Sequence, residues 1–543
     1  MIKLRRASLL PFLTVCIASC AAAPGPAPIE EPQQASQTTT TTSAPRKQAK
    51  ELSVGIDPVH TGFNPHLLAD DSRFIQTLAG LILPSVFIDN RLNTDLITKV
   101  EELNQTGDVI STTDAEHPEG QESITNVEQS STEPTSDNAD DNGPVKTIRY
   151  ELAAGAQWSD GTPITVADFE YLWSSMLNTP GTLNPAGYWA ITDIRSTKGG
   201  KTIEVDFNKN ISNWRTLFTH LLPSHVLRGV SFTDALSSGV PVSAGKFTMK
   251  TYDRNRGIIA LNRNDRFWGK ETALVESLNF HEVRSTDQGI ELVQNNQISF
   301  MDVTPTETSK EAYSLVPKTQ TRTEIDKYTL EIVANTRLAK PLRKELRSLI
   351  DPDLISRLAY DRRTDLAVIP KVEESVSAIG LQSLNRNIII GVDPAEPVTA
   401  SAAKNLVNSL IKQGVPATIK NADTNELMQT LIPRGQVDAV VAKSGTNLAD
   451  NYACPNIGLL GSNRSGYCQA DTQAMLNDYL TGTRTEEELT DYLNRLEADE
   501  ALRTAIAFDT RLEILGTGIT GPDADLAKWP TGYNSIDTWR IHQ

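Results

Sequence analysis

IRYELAAGAQWSDGTPITVADFEYLW, residues 148–173, holds a strand, a turn and the start of a helix in one short run. In KTIRYEL (146–152) the apolar Ile148, Tyr150 and Leu152 alternate with polar residues, the period of a half-buried strand. Asp160-Gly161 makes a tight turn, and Pro163 fixes the chain ahead of Thr165, a suitable helix N-cap. Behind that cap, Phe169, Leu172, Trp173 and Met176 recur at the spacing of one buried helical face.

The same two periodicities alternate along the rest of the chain. Strand-like runs are LSVGI (52–56), KTIEVDF (201–207), GIIALNR (257–263), NIIIGV (387–392) and VDAVVA (437–442). Between them, Asp70 or Asp71 can cap a helix carrying Phe74, Leu78, Leu81 and Ile82. AAKNLVNSLIKQGV ends on Gly414 at a C′ position, and Thr485 to Glu488 forms a capping box. Strands alternating with helices in both halves of 543 residues predict a multi-lobed α/β body. The formal charge of −17 argues against nucleic acid as a partner, because phosphate binding needs Lys and Arg. That charge is concentrated. Residues 101–145 hold twelve Asp/Glu and no Lys or Arg among Ser, Thr, Asn and Gly, so about 104–145 reads as a solvated, disordered insertion whose deletion (106–143) is expected to spare the fold. DNADDNG (137–143) crowds carboxylates but lacks the alternating ligands and distant Glu of a calcium loop.

The run 148–173 resembles the signature of the family 5 extracellular solute-binding proteins, the oligopeptide-binding type, with Leu152, Gly155, Trp158, Asp160, Gly161, Pro163, Thr165 and Asp168 filling its pattern. Further matching stretches follow in order: LLPSHVL (221–227), SAGKFTMKTYDRNRGIIALNRNDRFWG (243–269), NNQISFMDV (295–303) and KPLRKELRSLIDPDLISRLAY (340–360). Within that family, residues 54–87 and 187–207 resemble the actinobacterial LpqW-type lipoproteins, a group associated with phosphatidylinositol mannoside and lipomannan/lipoarabinomannan assembly. The resemblance implies an α/β periplasmic-binding-protein-like fold (class II, cluster C) with two lobes, a hinge and a family-specific third subdomain. Lobe I would take residues 51–330 with the acidic insertion, lobe II 331–484, and 485–543 would return to lobe I.

The N-terminus reads as an address. MIKLRR is cationic, ASLLPFLTVCI (7–17) is too short to span a bilayer, and Ile17-Ala18-Ser19-Cys20 resembles a lipobox. Residues 1–19 would be removed, Cys20 lipidated, and 20–50 left as a disordered Pro/Thr/Gln-rich tether. The protein is thus expected on the extracytoplasmic face of an actinobacterial cell membrane, lipid-anchored and monomeric. Of the mature cysteines, Cys454 and Cys468 are expected to pair; two metal-binding thiols would be the alternative, and no His or further Cys lies nearby to complete a site. Such a bridge is worth about 3 kcal/mol in the chain-entropy model.

Peptide-importing members of the family hold a peptide α-ammonium with an aspartate in a segment whose counterpart here is KSGTNLADNYACPN (443–456). Asp450 is the matching carboxylate, flanked by Asn451 and Tyr452. The family tryptophan is absent and one residue is added on each side, so Asp450 serves either as ligand anchor or as loop cap. Tyr188 and Trp189 either stack on a sugar ring or pack in the core. Catalysis has little support: there is no HExxH, CxxC or GxSxG, and the GxGxxG of Gly516, Gly518 and Gly521 runs into Pro522 rather than a helix. No cofactor or metal is expected. Two functions remain open. One is a non-catalytic lipoprotein binding an envelope glycolipid and regulating lipoarabinomannan synthesis, with a membrane mannosyltransferase as partner. The other is a peptide receptor for an ABC permease.

Overall fold

In the computed structural model, which describes residues 50–114, 121–122, 144–372, 376–445, 447–455 and 461–541, the signature run folds as its residues dictate. Strand Lys146–Leu152 buries Ile148 and Tyr150. The turn needs Gly161: its φ is +95°, and a Cβ there would stand 2.5 Å from Arg266 Nη1. Helix Val166–Asn178 starts at Thr165, whose backbone N–H donates to Asp168 Oδ2 at 3.0 Å. Asp168 is itself buried, and its other oxygen accepts from Ser224 N and Oγ at 2.9 and 2.8 Å. The signature aspartate therefore ties the helix start to the loop at 223–224, which is why this position carries a carboxylate.

Two sheets organise the chain. An antiparallel six-stranded sheet runs in the order Gln121–Glu122, Val109–Asp114, Ile97–Leu103, Lys146–Leu152, Thr202–Phe207, Ile191–Thr197. The larger sheet passes through both lobes. On the lobe I side lie Phe247–Asp253, Ile258–Arg263, Ser277–Glu282, Glu51–Ile56 and Phe300–Val303; on the lobe II side lie Ala439–Ser444, Ile388–Val392 and Ala417–Asn421. Two long neighbours, Gln320–Ala334 and Arg503–Leu515, join them. Their antiparallel register runs from Gln320↔Leu515 to Ile325↔Thr510, is interrupted, resumes at Thr329↔Phe508, shifts again between Leu330 and Glu331, and ends at Val333↔Arg503. The irregularity between Ile325 and Thr329 marks the hinge.

Several expectations change. The chain returns to lobe I later than residue 485, because helix Glu486–Glu500 buries Leu489 and Leu493 against Tyr452, Leu476 and Leu502, and Glu500 O accepts from Arg343 Nε at 2.8 Å. The crossing is made inside Arg503–Leu515. Helix Arg73–Ile82 is capped by Ser72, whose Oγ accepts from Ile75 N; Asp70 and Asp71 bond elsewhere. The acidic insertion contributes structure: Val109–Asp114 pairs with Ile97–Leu103 and buries Thr113. The reading of 1–49, including the signal, Cys20 and the tether, lies outside the described residues, as do 115–120 and 123–143 with DNADDNG. Cys454 and Cys468 are joined in a disulfide. The glycines 516–521 lead into the short strand Ile519–Thr520, paired with Arg540–Ile541, and no helix follows them directly. Among the described residues no helix is long and apolar enough to cross a membrane.

Deleting 106–143 removes Val109–Asp114 and strips one partner from Ile97–Leu103. That deletion is expected to lower Tm by a few degrees, contrary to the neutral effect composition suggests. An unchanged thermal melt would show that this strand adds nothing to the sheet.

Candidate functional site

The parallel strands of the large sheet end at the space between the lobes, where ligands of α/β sheets are bound. Ile56 gives way there to Asp57, Val392 to Asp393, and Lys443 sits near the end of Ala439–Ser444. These residues line an inter-lobe cavity of about 460 Å³, within the range of small-molecule pockets. Lobe I adds Asp71 and Phe74 from around the helix start at Arg73, lobe II adds Met428 and Arg464, and the hinge strands add Tyr328, Asp509 and Arg511.

Most of the charge in this lining is already engaged. Arg511 Nε donates to Asp302 Oδ1 at 2.7 Å, its Nη1 pairs with Asp57, and its Nη2 donates to Asp302 O at 2.7 Å. Burial alone would push Asp57 up, yet Arg511 and the bonds from Thr304 hold its carboxyl below the usual range. Lys443 Nζ lies 3.1 Å from both Glu396 and Asp509; burial opposes its charge, but the two carboxylates prevail and raise its pKa. Arg73 Nε lies 3.3 Å from Asp302 Oδ2 and 3.8 Å separates its Nη1 from Asp326. Tyr328 Oη donates to Asp71 Oδ1 at 2.8 Å, and burial raises the Asp71 pKa. Asp393 accepts from Thr424 N and Oγ1 at 2.8 and 2.9 Å. Arg464 is different. It is 5 % exposed, its Nη1 makes no hydrogen bond, and its nearest carboxylate oxygen, Glu331 Oε1, is 3.9 Å away. Among the described residues no group of His, Cys, Asp and Glu could hold a metal ion.

None of the five residues that the sequence singles out for ligand contact lines this cavity. Asp450 is buried, and its Oδ1 accepts from Ala186 N at 2.9 Å, so the carboxylate fastens lobe II to the segment after helix Val166–Asn178. Asn184 Oδ1 accepts from Asn447 N at 3.1 Å and Thr182 O from Ser462 Oγ at 3.1 Å, extending this clasp. Asn451 is buried beside Asp450; Tyr452 Oη donates to Glu497; Tyr188 Oη accepts from Phe218 N at 2.8 Å; and Trp189 packs against the buried cluster that includes Ala186, Tyr452 and Leu476. The sequence reading missed Asp57, Asp71, Lys443, Arg464, Asp509 and Arg511 as a group. Only the ends of the predicted strands 52–56, 387–392 and 437–442 pointed toward them.

Two lobes, a paired-strand hinge and a lined cavity between them define a solute-binding protein. Residues 135–367 match the model of the bacterial extracellular solute-binding proteins, family 5 Middle. The chain is 26% identical over 528 residues to the probable monoacyl phosphatidylinositol tetramannoside-binding protein LpqW of Mycobacterium tuberculosis, covering 82% of this chain and 76% of that one. The periplasmic oligopeptide-binding protein OppA of Escherichia coli is 25% identical over 179 residues, 29% of this chain and 33% of its own. In fold the chain is similar to the oligopeptide-binding protein AppA of Bacillus subtilis in complex with a nonapeptide, with a TM-score of 0.61 at 15% identity over 91% of this chain and 99% of that one. It is also similar to AgaA of A. tumefaciens R10 with agropinic acid, at TM-score 0.63 and 14% identity, with the same two coverages.

Burial pushes the Asp450 carboxyl up to about 6, against the bond from Ala186. In the unfolded chain the group titrates near 4. The folded protein therefore holds the extra proton as pH falls through 6, and the cost of burying the charge is felt above that. Asp450→Asn keeps the acceptor and removes the charge. It is expected to melt higher than wild type at pH 8, with the gap closing between pH 6 and 4. Asp450→Ala leaves Ala186 N–H buried without an acceptor and should lose about 1–3 kcal/mol throughout. Thermal melts of the three proteins from pH 4 to 8 check this; an Asn advantage that grows as pH falls would contradict it.

Proposed function

We propose that this protein is a non-catalytic receptor whose inter-lobe cavity takes the polar headgroup of an envelope glycolipid of the phosphatidylinositol mannoside class, and that in its loaded form it regulates lipomannan/lipoarabinomannan synthesis. The observation that carries this reading is the employment of Asp450. The carboxylate that would meet a peptide ammonium is spent on Ala186 N and lies outside the cavity lining. An ammonium group needs a carboxylate that is not already engaged; Asp57, Asp302, Glu396 and Asp509 each have a cation beside them, and Asp71 and Asp393 accept from Tyr328 and Gln76 and from Thr424. A sugar hydroxyl asks for less. An ionised carboxylate has about four acceptor sites, so one already paired can still accept from a polyol. The similarity to LpqW over most of the chain supports the same ligand class, and lipidation at Cys20 would hold the receptor at the membrane where such lipids reside. A membrane mannosyltransferase is the partner this role requires.

A second reading, peptide delivery to an ABC permease, draws on the OppA match and on the fold shared with a nonapeptide-bound AppA. Native mass spectrometry of the purified protein against mannosylated phosphatidylinositol and against peptide pools separates the two. The expected result is a saturable one-to-one glycolipid adduct without a peptide adduct. Saturable peptide binding with no glycolipid adduct would overturn the proposal.

A further inference from the structure

Three of the four Lys and Arg residues lining the cavity are held closely by carboxylates, and the fourth, Arg464, has only a shared one at 3.9 Å. Arg511 has Asp57 and Asp302, Lys443 has Glu396 and Asp509, and Arg73 has Asp302 and Asp326. Arg464 faces Glu331, but that carboxylate is taken: Arg503 Nη2 donates to its Oε2. Two buried guanidinium groups thus share one carboxylate. The remaining oxygen, Glu331 Oε1, and the remaining nitrogen, Arg464 Nη1, stand 3.9 Å apart, and neither makes a hydrogen bond. Among the described residues, the other bond at this end of Arg464 is a long one, Nη2 to Lys443 O at 3.5 Å. Asp71 shares the lining, but its Oδ1 accepts from Tyr328 and Gln76 instead. A buried charge without a close partner is destabilising, and an arginine fork is built to receive two oxygens of one anion.

We infer that Arg464 is a receiving group for an oxyanion of the ligand, a phosphate ester held through Nη1 and Nη2 at the lobe II wall of the cavity. The inference rests on the cavity being the ligand site, and it deepens the headgroup reading by naming the group that this wall contacts. It also explains why a guanidinium with one distant, shared carboxylate persists in a wall where every other cation has closer partners. The carboxylates of the lining are engaged by cations or by neutral donors, which leaves the incoming anion Arg464 Nη1, a guanidinium nitrogen without a hydrogen bond, to meet. A phosphate ester can come from a lipid headgroup or from a soluble sugar phosphate, and the probes below distinguish these sources.

The test is a thermal-shift and calorimetric titration of the full mature chain with inorganic phosphate, myo-inositol 1-phosphate, myo-inositol and mannosylated phosphatidylinositol in detergent. In the wild type, myo-inositol 1-phosphate should raise Tm by several degrees at saturation, and myo-inositol should do much less. Arg464→Gln should weaken the phosphate-bearing probes by about tenfold or more while leaving the unliganded protein as stable as wild type or more so, because it removes a poorly partnered buried charge. Arg464→Lys keeps the charge without the fork and should fall between them. A structural ion-pair role for Arg464 predicts the opposite pattern: a lower unliganded Tm in Arg464→Gln and unchanged affinity in whatever protein folds. If the wild type distinguishes none of the phosphate probes from myo-inositol, or if Arg464→Gln binds them equally well, the inference is overturned. A protein that binds myo-inositol 1-phosphate through Arg464 but no mannosylated lipid would keep this inference and overturn the glycolipid reading. Lipid binding undiminished in Arg464→Gln would do the reverse.

Discussion

The ladder between Gln320–Ala334 and Arg503–Leu515 is the constraint on which the rest depends. These strands are the two longest in the described chain, and each is shared by both lobes. Because the two strands pair on either side of the break at Ile325–Thr329, with one further register shift between Leu330 and Glu331, the lobes are joined by a sheet rather than by a linker. Relative motion is confined to bending where the register is interrupted. The cavity lies beside that bend, so its walls are set by how the ladder is held.

Side chains of one hinge strand do the holding. Asp509 and Arg511 are two residues apart and so point to the same face of the strand. Asp509 reaches toward lobe II, meeting Lys443 and accepting from Tyr360 Oη. Arg511 reaches toward lobe I, to Asp57 and Asp302. Neighbouring positions thus pin the cavity floor to opposite halves of the molecule. Far from this floor, the bond from Ala186 to Asp450 and the packing of Leu68 and Leu183 against Leu427 and Met428 close the other side. The disulfide Cys454–Cys468 braces the loop that follows Asp450.

Local features were legible in the sequence because they depend on neighbours in the chain. The Asp160-Gly161 turn, the Thr165 start, the C′ Gly414 and the Thr485–Glu488 capping box all stand where spacing put them. The Asp70/Asp71 cap was misplaced because Ser72 serves equally well by local rules, and the choice was made by distant groups: Tyr328 takes Asp71, and the backbone of Gly62 and Asn64 takes Asp70. The acidic segment hid a strand because Val109–Asp114 has a weak apolar pattern and is held by pairing with Ile97–Leu103. The cavity was hardest to see. Its charged residues run from Asp57 to Arg511, and no spacing rule links positions that meet only once the hinge strands pair. Asp450 was found by its motif, but the motif could not tell which side of the loop its oxygen would face.

The route of the chain through the hinge also decides the order in which the lobes can be completed. Lobe II is enclosed between the two hinge strands, and its largest buried cluster draws on residues 330–507 alone. Lobe I has no such independence. Phe300–Val303 waits for Leu512–Leu515 as its sheet neighbour, Phe300 packs on Trp529 and Trp539, and Tyr533 Oη accepts from Asp302 N. A chain made from its N-terminus therefore carries its first lobe unfinished until residues 512–539 have appeared, while the main cluster of the second can close on its own contacts. The half synthesised first is the half completed last.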